Sequence, residues 1–181
     1  MVNIEGYDIP NTTKELTIEQ FDKLNEIETN PHLENFEKWL AKFVYLGVPE
    51  DVFLNMDLDT FKTHQTNFNN IDKIDEDKTE TVDIDGYTYS APEKVGIKDL
   101  SLIEKAWKKD RSNFSAECVA VLFKREDLSN KEHYETAHIK RKVALFKKQP
   151  AQLAIPYIID IMQKLVKATD GATPELESDN A

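Results

Sequence analysis

Apolar and polar residues alternate in two short stretches, VNIEGYDI at residues 2–9 and VDIDGYTY at residues 82–89. A period of two puts one set of side chains on each face of a strand. Each stretch is interrupted at its centre by an acid–glycine pair, Glu5-Gly6 and Asp85-Gly86. Glycine admits the positive φ that a two-residue turn requires, so both stretches predict β-hairpins. Val, Ile, an acid, Gly and Tyr recur in the same order 80 residues apart.

A helical period follows each hairpin. In KELTIEQFDKLNEIE the apolar positions are Leu16, Ile18, Phe21, Leu24 and Ile27, and Thr17 with Gln20 predicts a capping box at the helix start. In VGIKDLSLIEKAW they are Ile97, Leu100, Ile103 and Trp107. Each is followed by a second apolar helix, LENFEKWLAKFVYLG or NFSAECVAVLF. The third elements diverge, PEDVFLNMDLDTFKTHQTNF against YETAHIKRKVALFKKQPAQLAIPYII. The matched order predicts an α+β fold, mostly helical, with two copies of a β-hairpin plus three-helix unit arising by internal duplication. The copies span residues 1–70 and 81–168, joined by an acidic linker at 71–80 and followed by a disordered acidic tail at 169–181. The alternative is one α+β domain in which the two hairpins share a sheet. A lone hairpin is marginal in water, so either way the hairpins must pack on helices or on each other.

The second copy's third element carries an unusual junction, KRKVALFKKQPAQLAIPYIIDIMQKL at residues 140–165. Ile139, Val143 and Phe146 form one stripe, with Lys140, Arg141, Lys142, Lys147 and Lys148 around the rest. Gln149-Pro150 breaks the helix, because a residue before proline avoids helical geometry. The apolar run beyond it contains Asp160 and Gln163 and is too short to span a bilayer, which needs ~20 apolar residues. If Pro156 opens a helix there, Ile158, Ile161, Met162 and Leu165 line one face. Tyr157 and Ile159 are then an apolar surplus suited to an interface.

Charge narrows the choice of partner. The chain of 181 residues has a formal charge of -11, all of it in residues 1–80, where 18 acids face 7 bases; residues 136–159 hold no acid. That acidity disfavours nucleic acid as a partner, since phosphate neutralisation drives non-specific affinity. An acidic half beside a basic strip points to contacts between proteins, either copies of this chain or another component. MVNIEGYDIP has neither a basic n-region nor an apolar run, so no signal peptide and a cytosolic location are expected.

Catalytic and metal chemistry find little footing. The lone Cys118 sits among apolar residues in SAECVAVLF and reads as a buried thiol rather than a nucleophile. Asp75, Asp77, Asp83, Asp85 and Gly86 tempt an EF-hand reading, but no glycine falls at the turn position that loop needs. His32, His64, His133 and His138 make no ligand spacing. There is no P-loop, G-x-G-x-x-G or G-x-S-x-G. No enzymatic activity, no metal and no cofactor are expected. Trp39 and Trp107 read as core residues.

The V-x-I-x-G-x-x-Y/I hairpin, the following L-T-I-E-Q-F and its apolar helix resemble those of small bacteriophage tail-assembly and tail-accessory proteins, some of them chaperone-like. The run YETAHIKRKVALFKKQP, Tyr134 to Pro150, is similar to stretches of proteins encoded in phage structural gene blocks. The resemblance implies a non-enzymatic protein that binds another virion component through protein–protein contacts during tail or neck assembly, in the host cytoplasm or on the particle. A virion structural subunit (ring, collar or tail component) is the alternative. A nucleic-acid module using Lys140 to Lys148 is a third reading. Lys140, Arg141, Lys142, Lys147, Lys148, Tyr157 and Ile159 are the candidate partner-binding residues, and self-association is open.

Overall fold

The computed structural model describes residues 1–68, 78–109 and 112–170. The fold is α+β and 57% helical. Strands β1 (Val2–Ile4) and β2 (Tyr7–Ile9) pair antiparallel with Ile4 opposite Tyr7. Strands β3 (Thr81–Ile84) and β4 (Tyr87–Ser90) pair in the same way with Ile84 opposite Tyr87. Both turns have two positive-φ residues, Glu5 (48°) with Gly6 (95°) and Asp85 (52°) with Gly86 (78°), as the two-residue hairpin demands. Each hairpin also carries a cross-strand polar bond at the same station, Asn3 Nδ2 to Asp8 Oδ1 at 2.8 Å and Thr88 Oγ1 to Asp83 Oδ1 at 2.6 Å. The hairpins lie in separate sheets, so they do not share one. The second is widened by β5 (Lys124–Arg125), which pairs with β4.

Among the described residues, four helices follow the first hairpin and five the second, where the sequence pattern predicts three each. After the first come α1 (Ile18–Glu28), α2 (Asn35–Tyr45), α3 (Glu50–Leu54) and α4 (Leu58–Phe68). After the second come α5 (Ile97–Lys109), α6 (Phe114–Leu122), α7 (Asn130–His133) and α8 (Thr136–Phe146). In the first half the expected third element divides at Asn55, which ends α3. In the second, α7 precedes the expected third element, which itself divides at the Gln149-Pro150 break into α8 and a further helix. A 3-10 turn at Ala151–Leu153 then leads to α9 (Ile155–Asp170), with Pro156 in its first turn. There proline costs no hydrogen bond. Most of the expected linker, including Asp75 and Asp77, and the tail beyond residue 170 lie outside the described residues.

Two hydrophobic clusters hold the fold. One gathers Ile4, Ile9, Leu16, Leu24, Phe43, Val48 and Phe53 from the first half, yet it also takes Ala151 and Ile155 from the C-terminal end. The other surrounds α6, with Tyr89, Ile103, Phe123, Phe146 and Ile161, and it takes Ile18 from α1. Every residue of α6 but Glu117 is buried, because the helix is enclosed by α1, α5, α8 and α9.

A main-chain clasp accompanies this exchange of side chains. The first amides of a helix have no partner within it. In α1 the Ile18 amide donates to Gln149 O at 2.8 Å and the Glu19 amide to Lys147 O at 3.0 Å. Those carbonyls lie just past the end of α8. In return the Ala151 amide donates to Leu16 O at 2.8 Å. The Thr17–Gln20 capping box completes the start of α1, as its spacing predicts.

Candidate functional site

The basic run divides between surface and core. Lys140, Arg141 and Lys148 are exposed. Lys147 is half-buried and its ammonium meets Glu19 at 3.2 Å, tying α8 to α1. Lys142 is buried, 1% exposed, and is therefore not a surface contact residue. It follows Ile139 by three positions and precedes Phe146 by four, so it belongs to the apolar stripe rather than the basic face. Tyr157 is also removed from the candidate surface. It is buried against Phe123, and its hydroxyl donates to Thr79 O at 2.8 Å. Ile159 stays exposed, as the interface reading requires.

Lys142 enters a buried polar chain. Its ammonium donates to Phe123 O at 3.0 Å and lies 3.0 Å from His133 Nδ1, while His133 Nε2 lies 2.9 Å from Val121 O. A neutral imidazole protonated at Nε2 satisfies both of its contacts. Burial pulls the Lys142 ammonium down to about 7, with the charge of Lys124 acting in the same direction. Burial, then the Lys142 charge, pulls His133 down to about 4. Beside this chain the Tyr134 hydroxyl donates to Asp99 Oδ1 at 2.6 Å, and Asp99 Oδ2 accepts the Gly96 amide ahead of α5. The lysine thus ties α8 to the end of α6 and to α7.

Ile159 opens onto an apolar groove of about 330 Å³ bounded by α1, α9 and the facing ends of α5 and α6. Ile158, Ile159 and Met162 of α9 form one wall, Phe21 of α1 another, and Trp107 and Phe114 meet edge to face within it, with centroids 4.8 Å apart. Asp22 lies in the groove lining and is 4% exposed. Its carboxylate accepts the Ser115 amide at 3.0 and 3.1 Å and the Ala116 amide at 3.4 Å, capping α6 from α1. Burial raises its pKa to about 6 against the lowering effect of those bonds. The sequence reading missed Asp22 and placed Lys142 on the surface rather than in the core. The signal was helical spacing, since Asp22 sits four positions after Ile18 on the buried side of α1.

A second groove of about 430 Å³ lies where α5 and α8 part over α6. It receives Lys140 of the candidate set. The two grooves place Lys140 and Ile159 in different recesses rather than one.

The other candidate chemistry resolves into structure. Cys118 is wholly buried and burial raises its thiol pKa well above the ordinary range. Asp83 and Asp85 are strand and turn residues. Trp39 packs edge to face on Phe61 at 6.1 Å between centroids, and Lys42 covers its ring at 4.7 Å. Among the described residues, no three His, Cys, Asp or Glu side chains are grouped to hold a metal ion, and no helix is long and apolar enough to cross a membrane. Neither the family models, nor the curated proteins, nor the solved structures give a match to this chain.

Proposed function

We propose that this chain is a non-enzymatic binding protein that holds an apolar helical segment of another virion component during phage tail or neck assembly. The observation that carries the binding reading is the groove walled by Ile158, Ile159 and Met162. It leaves large apolar side chains accessible at the junction of the two halves, where an ordinary core would close. The titratable groups with displaced pKa values favour a structural role over catalysis. Asp22 spends its oxygens on the α6 amides and Lys142 its protons on a carbonyl and an imidazole. The phage assignment rests on the hairpin, the LTIEQF start and the Tyr134–Pro150 run.

The test pairs the full-length protein with each product of its neighbouring genes, using the wild type and an Ile159→Glu, Met162→Glu variant. One product should bind the wild type and be lost by the variant, with thermal melting unchanged. Absence of any such product would overturn the reading. Mass spectrometry of purified particles separates a chaperone, which should be missing, from a structural subunit, present at fixed stoichiometry.

We also propose that the two halves are duplicated units. Hairpin, turn and the first four helices recur in order, with Ile4 and Ile84, then Ile9 and Tyr89, buried at equivalent stations, while β5 and α9 belong to the second half alone. A relative carrying a single such unit is the expected trace.

A further inference from the structure

The groove between α5 and α8 combines apolar walls with basic margins. Its walls carry apolar rows at helical spacing, Leu102 with Ala106 on α5 and Ile139 with Val143 on α8. Outside those rows stand Lys105, Lys109 and Lys140, all exposed. Both helices pack on α6, so the slot between them is a trough with a helical floor. Glu117, the acid among the lining residues, already has a contact of its own. In a chain of charge -11, three lysines flanking one apolar trough make a local field opposite to that of the whole molecule.

We infer that this trough is a docking site for an amphipathic acidic helix of a partner protein, with its apolar stripe between the Leu102–Ala106 and Ile139–Val143 rows and Glu or Asp on both flanks. The inference rests on the reading of the chain as a binding protein and adds the chemistry of a second contact. A helix fits because its backbone groups are satisfied internally. The trough walls are helices, with no sheet edge to pair an extended segment. Acidic flanks fit because they meet Lys105 and Lys109 on one side and Lys140 on the other. Single-stranded nucleic acid fits less well, because base stacking needs free aromatic faces. The aromatic residue of the lining is Tyr134, whose ring already has the Lys98 ammonium at 3.8 Å and Lys124 at 5.2 Å.

The experiment uses the full-length chain and two labelled helical peptides of roughly five turns. They share a leucine stripe and differ in having Glu or Lys on both flanks. By fluorescence anisotropy the Glu peptide should bind at least tenfold tighter than the Lys peptide, and added salt should weaken it. K105E/K109E/K140E should reverse that preference with its melting temperature unchanged. If the triple variant melts early, Lys105→Gln with Lys140→Gln should still weaken the Glu peptide severalfold. Equal affinity for both peptides, or undiminished binding of the Glu peptide by the lysine variants, overturns the inference. So does an oligothymidylate that binds more tightly than the Glu peptide and is lost in the triple variant, which would make the trough a nucleic-acid site. The two proposals separate cleanly. A neighbouring gene product held equally by wild type and triple variant sinks the trough and leaves the binding function standing. Peptide selectivity with no gene product bound does the reverse.

Discussion

The Lys142 ammonium and the His133 imidazole, two groups that accept protons readily in water, meet 3.0 Å apart inside the fold. Burial makes the charged form of each more costly, and the Lys142 charge adds to the cost of charging His133. The contact holds only while His133 is neutral. It joins α8 to α7 through a bond whose strength depends on pH.

Lys142 binds its proton less tightly in the folded state, about 7 against an ordinary 10.5. Its contribution to stability is full above the unfolded value and is lost as pH falls towards 7. Urea melts of the wild type should show stability rising between pH 7 and pH 9.5. Lys142→Met should remove a rise on the order of 4 kcal/mol across the whole interval from 7 to 10.5. An unchanged slope in the variant would refute the assignment. His133 adds a separate loss as pH falls from 6.5 towards 4.

Asp22 acts in the opposite sense. Its folded-state pKa of about 6 lies above the ordinary 3.8, so its contribution is present below 3.8 and lost as pH rises through 6. Asp22→Asn should remove this pH dependence, so that the wild-type-minus-variant stability difference falls by about 3 kcal/mol between pH 3.8 and pH 7. Paired melts at those two pH values measure it.

Thr17→Ala removes the side-chain acceptor for the Gln20 amide at the point where α1 meets the end of α8. The expected loss is about 1 kcal/mol in thermal or urea unfolding. Thr17→Ser should recover most of it.

At Gly6 and Gly86 an added Cβ meets nothing within 4 Å, so backbone strain alone sets the cost of substitution. Gly86→Ala should destabilise by about 1 kcal/mol, because L-residues disfavour the left-handed region. Gly86→Asn should cost less. Equal losses in the two variants would point to packing instead.

Both hairpins, their turns and the start of α1 were legible because they depend on neighbours in sequence: alternation, Gly after an acid, Thr three before Gln. The short helices α3 and α7 were not expected, because they end at Asn55 and Tyr134, where no glycine or proline marks a stop. The break between α8 and α9 at Gln149-Pro150 was legible from the proline. Lys142 was read with Lys140 and Arg141 as a uniform basic run. Its burial depends on Phe123 and His133, which lie far from it in sequence and offer the ammonium acceptors. Tyr157 was assigned to the surface because the proposed face of α9 began at Ile158. Its position four before Ile161 puts it on the inner side, where Phe123 waits. Asp22 was invisible as a functional residue because its partners are backbone amides some 93 positions away.

The clasp between the start of α1 and the residues after α8 makes the order of synthesis matter. When the first half leaves the ribosome, the acceptors for Ile18 and Glu19 and the apolar side chains of Ala151 and Ile155 have not yet been made. The first hairpin and its helices must wait, with part of their core open, for the last quarter of the chain. A nonsense truncation ahead of Lys147 would damage the amino-terminal half as surely as the carboxy-terminal one. Residues 1–68 and 78–170, made as separate chains, should each fold poorly alone and rescue one another when mixed.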